Sequence, residues 1–121
     1  MNWTPEELNI IDHEESLFIS IRDDQGIMHK PTYIWGVSAN GDFYARGASG
    51  VDSKWYKAAL LEQKGHITIG KIEKDVLLTF PHDNQTRLAI DQAYKNKYDS
   101  VIELMTSDKV AAATVKITPV Q

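Results

Sequence analysis

The sequence predicts an α+β domain in which six mostly antiparallel strands form a sheet or barrel and two main helices pack outside it. Its strand-like segments follow one another as hairpins instead of alternating with helices, which is typical of antiparallel sheets. Asn40 and Gly41 stand between two such segments. Asn-Gly is the pair that a tight type I′ turn prefers, because both positions need positive φ. A length of 121 residues is that of one domain, so we expect residues 1–121 to form a single domain.

The amino-terminal third predicts one helix, two strands and the start of a third strand. Thr4, Pro5 and Glu7 have the pattern of a capping box with proline at the first helical position, so a short helix should follow. Residues 16–22 alternate between apolar and polar side chains, which is the period of a half-buried strand. Residues 32–39 form the second strand, and the Asn-Gly turn leads into the third.

The rest of the chain predicts two helices and three strands. Residues 52–64 have helical spacing and stop before Gly65, a residue type that often ends a helix in the left-handed conformation. Residues 66–80 return to strand chemistry and predict a hairpin that turns near Gly70. The remaining elements are a helix over 83–98, a short turn over 106–109 and a closing strand over 111–120.

Composition argues against several classes of partner. The net charge is −4 and no run of Lys or Arg exists, so the chain has no broad basic surface for nucleic acid or an anionic membrane. The absence of cysteine excludes disulfides, thiolate metal sites and a cysteine nucleophile. The amino terminus lacks the pattern of a signal peptide, and no segment approaches the ~18 apolar residues of a membrane span. We therefore expect a cytoplasmic protein.

Local motifs predict neither a catalytic residue nor a metal site. The four histidines are far apart and lack HxxxH or HExxH spacing. The carboxylates and serines form neither a paired-acid pattern nor a G-x-S-x-G elbow. This pattern fits an enzyme whose bound cofactor carries the chemistry. It fits a protein that is not an enzyme equally well.

The segment RGASGVDSKWYK, residues 46–57, contains the parts of a phosphate site. Glycines allow close approach of the backbone, hydroxyls donate hydrogen bonds, and three basic side chains supply charge. The alternative is a simple connection between strand and helix. In that case Asp52, a preferred N-cap residue, already occupies the anion-attracting end of the helix. The residues concerned in the first hypothesis are Arg46, Gly47, Ser49, Gly50, Ser53, Lys54 and Lys57.

Two aromatic pairs have both a structural and a ligand-binding interpretation. Trp55 and Tyr56 open the predicted helix, where a flavin-like ring could stack, but we favour core packing beside the apolar residues that follow. Tyr33 and Trp35 share one face of their strand and could line a cleft or the barrel interior. For this second pair we favour the interior.

The order of four motifs resembles a known family. They are TPEEL, IWGVSANGDFYARGASGVDSKWYKAAL, AIDQAYKNKY and AAATVKITP. Together they cover most of the chain and are similar to the family called domain of unknown function 2255. This resemblance implies a split β-barrel, the fold of a group of flavin-binding proteins. The centre also resembles the deazaflavin-dependent reductases, in which a strand, a Gly/Ser-containing loop and a helix opening with Trp-Tyr recur.

The resemblance also implies a cofactor and the residues that would hold it. In those reductases the loop and the start of the helix contact the cofactor phosphate. The longer basic loop of the reductases is absent here, and the Asn-Leu of their Trp-Tyr-x-Asn-Leu is Ala59-Leu60. FMN or a deazaflavin would be the cofactor, and the binding residues carried over to this chain are Arg46, Ser49, Gly50, Lys54, Trp55 and Lys57.

Two functions remain open at this stage. One is a flavin- or deazaflavin-binding oxidoreductase; the other is a ligand-binding or structural split barrel without a redox cofactor. The resemblance implies a homodimer in either case, because split barrels of this group usually pair through their sheets. Phe18, Ile34 and Tyr44 support pairing, since we expect them on strand faces that a partner or a helix must cover.

Overall fold

Six strands close into an antiparallel barrel in the computed structural model, which describes residues 3–21, 25, 27–28, 30–47, 50–98 and 102–120. Neighbouring strands follow the order β1-β2-β3-β6-β5-β4, and β4 pairs with β1 to close the barrel. Every strand pair is antiparallel. The predicted α+β fold with a six-stranded barrel is therefore confirmed. The strands are β1 (Leu17–Ser20), β2 (Thr32–Ala39), β3 (Asp42–Arg46), β4 (Lys64–Ile69), β5 (Ile72–Thr79) and β6 (Thr114–Pro119).

Five helices pack around the barrel within the described ranges. The two shortest, over 102–105 and 108–111, were not predicted; the second begins inside the predicted turn over 106–109, of which only Thr106 and Ser107 lie outside a helix. None of the helices in the part of the chain described here combines the length and apolar character needed to cross a membrane. The helices are α1 (Pro5–His13), α2 (Lys54–Glu62), α3 (Asn84–Lys97), α4 (Ile102–Met105) and α5 (Asp108–Ala111).

Two local predictions are confirmed, the capping box of α1 and the type I′ turn at Asn40–Gly41. The Thr4 hydroxyl accepts from the Glu7 amide at 3.1 Å, and the Glu7 carboxylate accepts from the Thr4 amide at 2.9 Å. These two bonds are the capping box that opens α1. Asn40 and Gly41 have φ of 54° and 84°, as a type I′ turn requires.

The ends of α2 differ from the prediction. A 3₁₀ turn at Gly50–Asp52 delays the helix, so Ser53 is the N-cap and Asp52 is not. At the other end Gln63 takes the left-handed conformation with φ of 59°, and its amide donates to the Ala59 carbonyl at 2.7 Å. Gly65 already lies in β4. The predicted N-cap Asp52 and the predicted stop Gly65 were therefore wrong. The N-cap lies one residue later, at Ser53, and the left-handed residue lies two positions earlier, at Gln63.

Two hydrophobic clusters lie on opposite sides of the sheet. The larger one fills the barrel and includes inward side chains such as Leu17, Ile19 and Ile34, none more than 2% exposed. The smaller one lies between the outside of β2 and β3 and helices α3 to α5. Its buried members are Val37, Tyr44, Ile90, Tyr94, Tyr98, Met105 and Val110.

Tyr33 and Trp35 lie outside the barrel, so the favoured interior position was wrong. Ile34 between them points inward, and the two-residue period of a strand then directs both neighbours outward. Tyr33 is 44% exposed, while Trp35 packs on Tyr98 with ring centroids 4.7 Å apart. Of the side chains expected to need a cover, Ile34 is in the barrel interior and Tyr44 is covered by the smaller cluster.

Candidate functional site

The first residues of β2 have a free edge. On one side, β2 pairs with β1 from Thr32 to Ile34. On the other side, pairing with β3 begins only at Trp35, opposite Arg46. Residues 32–34 therefore lack a strand partner on that side within the described residues, and the chain that leaves β3 folds into the start of α2 beside them. The barrel opens into a cleft at this place.

The cleft consists of two adjoining cavities. One has about 340 Å³ and lies between Tyr33, Trp35 and the start of α2. The other has about 300 Å³ and lies between β1 and the start of α2. They share Thr32, Lys54 and Trp55 as lining residues. We call the first the aromatic cavity and the second the lysine cavity, which Lys30 also lines.

Three side-chain donors at the start of α2 have no partner among the described residues. They are the hydroxyl of Ser53, the indole N–H of Trp55 and the ammonium of Lys54, all lining the aromatic cavity. Gly47 lies directly beside two of them. A Cβ added to Gly47 would stand 2.7 Å from Ser53 Oγ and 2.9 Å from Trp55 Nε1. A glycine is thus what allows these two donors to converge.

The first turn of α2 contains no acidic side chain. Asp52, the residue before the N-cap, is exposed, and the Ser53 side chain makes no capping hydrogen bond. The amides of the first turn and the positive end of the helix dipole are therefore available to an anion. This differs from the simple-connection hypothesis, in which the carboxylate of Asp52 would cap the helix.

Arg46 lies in the core instead of the cleft. Its side chain is fully buried, and it donates from Nε to Thr114 Oγ1 at 2.9 Å and from Nη1 to Asp91 Oδ1 at 2.5 Å. Nη1 also donates to the Met105 carbonyl at 2.9 Å, and the guanidinium lies over the Tyr94 ring at 5.6 Å. These contacts leave Arg46 no exposed atom for a ligand, so we do not include it in the site.

The other residues carried over from the resemblance occupy different places. Lys54 and Trp55 line both cavities, with Trp55 only 6% exposed and part of the barrel core. Lys57 is exposed on the same helix but lines neither cavity. Gly50 is buried with φ of 65°, and an added Cβ would stand 2.9 Å from the Lys109 carbonyl, so its close contact is with α5. Ser49 lies outside the described residues.

Several residues of the cleft were not predicted from the sequence. Thr32 and Lys30 carried no motif, and the outward direction of Tyr33 and Trp35 was not recognised. The two-residue period did place Tyr33 and Trp35 on one face. Which face meets α2 depends on where β3 stops pairing, and sequence periodicity does not contain that information.

A family profile matches nearly the whole chain. The family is described as an uncharacterized protein conserved in bacteria, DUF2255, and the match covers residues 7–117. No curated protein sequence matches the chain.

Several solved structures share the fold at low sequence identity. HutZ, described as the heme storage protein from Vibrio cholerae, has a TM-score of 0.72 and 13% identity over 100% of this chain and 92% of that chain. A Listeria innocua protein assigned provisionally as a pyridoxamine 5'-phosphate oxidase has a TM-score of 0.68 and 14% identity, with coverage of 96% and 92%. An F420 reductase has a TM-score of 0.62 and 8% identity, with coverage of 93% and 92%. At these identities the likeness establishes the fold alone.

Proposed function

The chain belongs to the DUF2255 family, and from that premise we propose that it is an oxidoreductase whose cleft binds a phosphate-bearing flavin or deazaflavin. The observation that carries the proposal is a group of three donors, Ser53, Lys54 and Trp55, that have no partner among the described residues and line an aromatic-walled cavity. The F420 reductase among the structural neighbours supports the choice of cofactor class.

The residues present fit such a cofactor in two respects. Tyr33 and Trp35 offer aromatic surface for a flat ring system. Ser53 and Lys54, together with the uncapped amides of α2, offer donors and positive charge for a phosphate. Gly47 keeps the space that these donors need. An anion at the helix start and a ring against β2 would use both parts of the cleft.

The protein contributes binding and orientation. A bound flavin or deazaflavin supplies electron or hydride transfer. Lys54 would offset the charge of the phosphate, and Trp55 would hold the helix start against the barrel, because its ring is buried in the core. The backbone edge of residues 32–34 would offer further hydrogen-bonding groups.

A second copy of the chain completes the proposal. The aromatic cavity has about 340 Å³, which is near the lower end of the range of roughly 300–1,000 Å³ for small-molecule sites. A nucleotide cofactor would therefore extend beyond it. Tyr33 lines this cavity and also contacts Phe18, which is 39% exposed, with ring centroids 5.7 Å apart. We propose that a homodimer forms over this exposed aromatic surface and covers the rest of the cofactor.

Titration of FMN and of a deazaflavin tests the proposal directly. Tryptophan and flavin fluorescence report binding, and riboflavin serves as the ligand without a phosphate. Lys54→Gln should weaken FMN binding by about 1.5–3 kcal/mol, the value of a charge-assisted hydrogen bond, or roughly 10- to 150-fold. Riboflavin should bind both proteins equally, because it lacks the group that Lys54 contacts.

Matched variants separate phosphate binding from general loss of charge. Lys71→Gln removes a lysine that lines neither cavity and should leave FMN affinity unchanged. Lys57→Gln tests the predicted contribution of the second lysine on α2. Hemin is titrated in parallel, because one structural neighbour is a heme storage protein. Absence of flavin and deazaflavin binding, or hemin binding that is tighter than FMN binding, would favour a split barrel without a redox flavin.

A further inference from the structure

The lysine cavity has an apolar floor and a strongly basic wall. Ile19 and Ile21 form the floor, and each is only 1% exposed. The side chains of Thr32 and Trp55 line it as well. Its volume of about 300 Å³ is sufficient for a small organic molecule.

Two lysines line this cavity, and no carboxylate is among its described lining residues. They are Lys30 and Lys54, and neither has an ion pair or a side-chain hydrogen bond with the described residues. Elsewhere in the described chain, by contrast, Lys74 pairs with Glu7 at 2.5 Å and Lys116 with Asp42 at 3.6 Å. Two positive charges that have no counterion among the described residues, over an apolar floor, favour a ligand that is both anionic and apolar.

We propose that the lysine cavity binds a small carboxylate with an apolar body, held by Lys30 and Lys54 over Ile19 and Ile21. Such a molecule would lie next to the aromatic cavity, since Lys54 and Trp55 line both. Its role as the substrate of the enzyme rests on the proposed function. Binding of the carboxylate to the lysine cavity does not depend on the proposed function, because Lys30 lines the lysine cavity and not the aromatic one.

The test uses 2-naphthoate and its neutral counterpart 2-naphthylmethanol on the protein without cofactor. Calorimetry measures affinity, and the NMR signal of the Trp55 indole N–H, assigned with Trp55→Phe, reports the place of binding. We expect naphthoate to shift this signal and to bind at least about tenfold more tightly than the alcohol, which corresponds to one charge-assisted hydrogen bond. Lys30→Gln and Lys54→Gln should each weaken naphthoate binding about tenfold, whereas Lys71→Gln should not.

FMN separates this inference from the proposed function. Lys30→Gln should leave FMN affinity unchanged. Because the FMN phosphate and naphthoate share Lys54, saturating FMN should weaken naphthoate binding by no more than Lys54→Gln does, about tenfold. Equal affinity for the acid and the alcohol, unchanged naphthoate affinity in Lys30→Gln, or complete displacement of naphthoate by FMN would each overturn the inference. Naphthoate binding without any flavin binding would refute the flavin proposal but keep the anion site. Flavin binding without naphthoate binding would do the opposite.

Discussion

At the scale of single residues, Arg46 shows how a charge can belong to the core. Its guanidinium has four interactions, with Thr114, Asp91, the Met105 carbonyl and the Tyr94 ring, but Nη2 is buried and has no hydrogen-bond partner among the described residues. Burial of a charge is costly unless geometry and hydrogen bonds compensate for it. Arg46 therefore joins β3 to α3, α4 and β6 at the expense of one unsatisfied group.

Substitution of Arg46 should consequently affect stability strongly. Arg46→Met removes the nearest cation of Asp91, which is 17% exposed, and leaves the more distant Arg87, whose Nε lies 3.7 Å from Asp91 Oδ2. Breaking a buried ion pair typically costs about 3–5 kcal/mol, and the remaining contact with Arg87 places the expected cost at the lower end of that range. We expect a loss of this size in urea denaturation, and Asp91→Leu added to Arg46→Met should recover part of it. Arg46→Met with a stability near that of the wild type would show that the pair contributes little.

His66 predicts a dependence of stability on pH. Its Nδ1 lies 2.9 Å from Asp75 Oδ1 and its Nε2 lies 3.0 Å from Glu73 Oε2. Both nitrogens can donate only in the protonated ring. Hydrogen bonds to Asp75 and Glu73 therefore raise the pKa of His66, although partial burial lowers it. The stabilisation is present in full below the unfolded pKa of about 6.5 and is lost as pH rises through the folded value.

Comparison of wild type with His66→Gln at pH 5.5 and 8.5 measures this effect. At pH 5.5 the free energy of unfolding of the wild type should be higher than that of His66→Gln. At pH 8.5 this difference should be smaller. The difference should be within ~1 kcal/mol, because the carboxylates are exposed. The double variant Glu73→Gln and Asp75→Asn should lose the same pH dependence. An equal gap at both pH values would argue that the ring is not protonated between the carboxylates.

Individual side-chain roles were the least predictable from sequence. Arg46 ends a strand whose pattern DFYAR does not reveal that α3 will place Asp91 opposite it, 45 residues later. His66 likewise depends on the register of β4 and β5, which sets it opposite Asp75. The capping box of Thr4 and Glu7, in contrast, depends on residues only three positions apart and was predicted correctly.

At the scale of elements, the end of α2 combines a strained residue with a useful hydrogen bond. Gln63 has φ of 59°, and its carbonyl accepts from the Leu78 amide at 2.9 Å. This conformation is unfavourable for a residue with a Cβ and normal for glycine. The prediction that Gly65 ends the helix followed from this principle. Gly65 instead pairs with Val76 between β4 and β5, so the helix ends before it.

Gln63→Gly should therefore stabilise the protein. Relief of the left-handed conformation is worth about 1–2 kcal/mol, and the added freedom of glycine in the unfolded chain returns about 0.5–1 kcal/mol. We expect a net gain of up to ~1 kcal/mol in thermal or urea denaturation. Gln63→Ala is the matched control, since it shortens the side chain but keeps the Cβ, and it should give no such gain. A loss of stability in Gln63→Gly would mean that the side chain contributes more than the strain.

Helix α3 is fixed to β2 behind the cleft. The hydroxyls of Tyr94 and Tyr98 donate to the carbonyls of Trp35 and Gly36 at 2.5 Å and 2.9 Å, and Lys97 donates to Gly36 at 2.8 Å. Helical spacing predicted that Tyr94 and Tyr98 share a face of the helix. It did not predict which strand they meet. The side chain of Trp35, which lines the aromatic cavity, is thus supported from behind by α3, and only the assembled fold reveals this contact.

At the scale of the whole molecule, strand order was predictable as hairpins but the cleft was not. The pairs β2-β3 and β4-β5 are local hairpins marked by Asn40-Gly41 and by Gly70, and both were predicted. Barrel closure between β1 and β4 joins residues about 50 positions apart. The cleft needs that closure, because it arises where β1, the free edge of β2 and the start of α2 meet.

The proposed homodimer would cover the exposed aromatic strip formed by Phe18 and Tyr33. Phe18 is 39% exposed and Tyr33 is 44% exposed. The ring of Tyr33 also packs against the ring of Trp35, with centroids 5.9 Å apart. Phe18→Asp places a charge in the centre of this surface and should convert a dimer into a monomer in light scattering. Leu61→Asp, at a helix position that is 78% exposed, is the matched control and should remain dimeric. A wild-type mass of a monomer across the working concentration range would remove the dimer, and a dimeric Phe18→Asp would assign pairing to another surface.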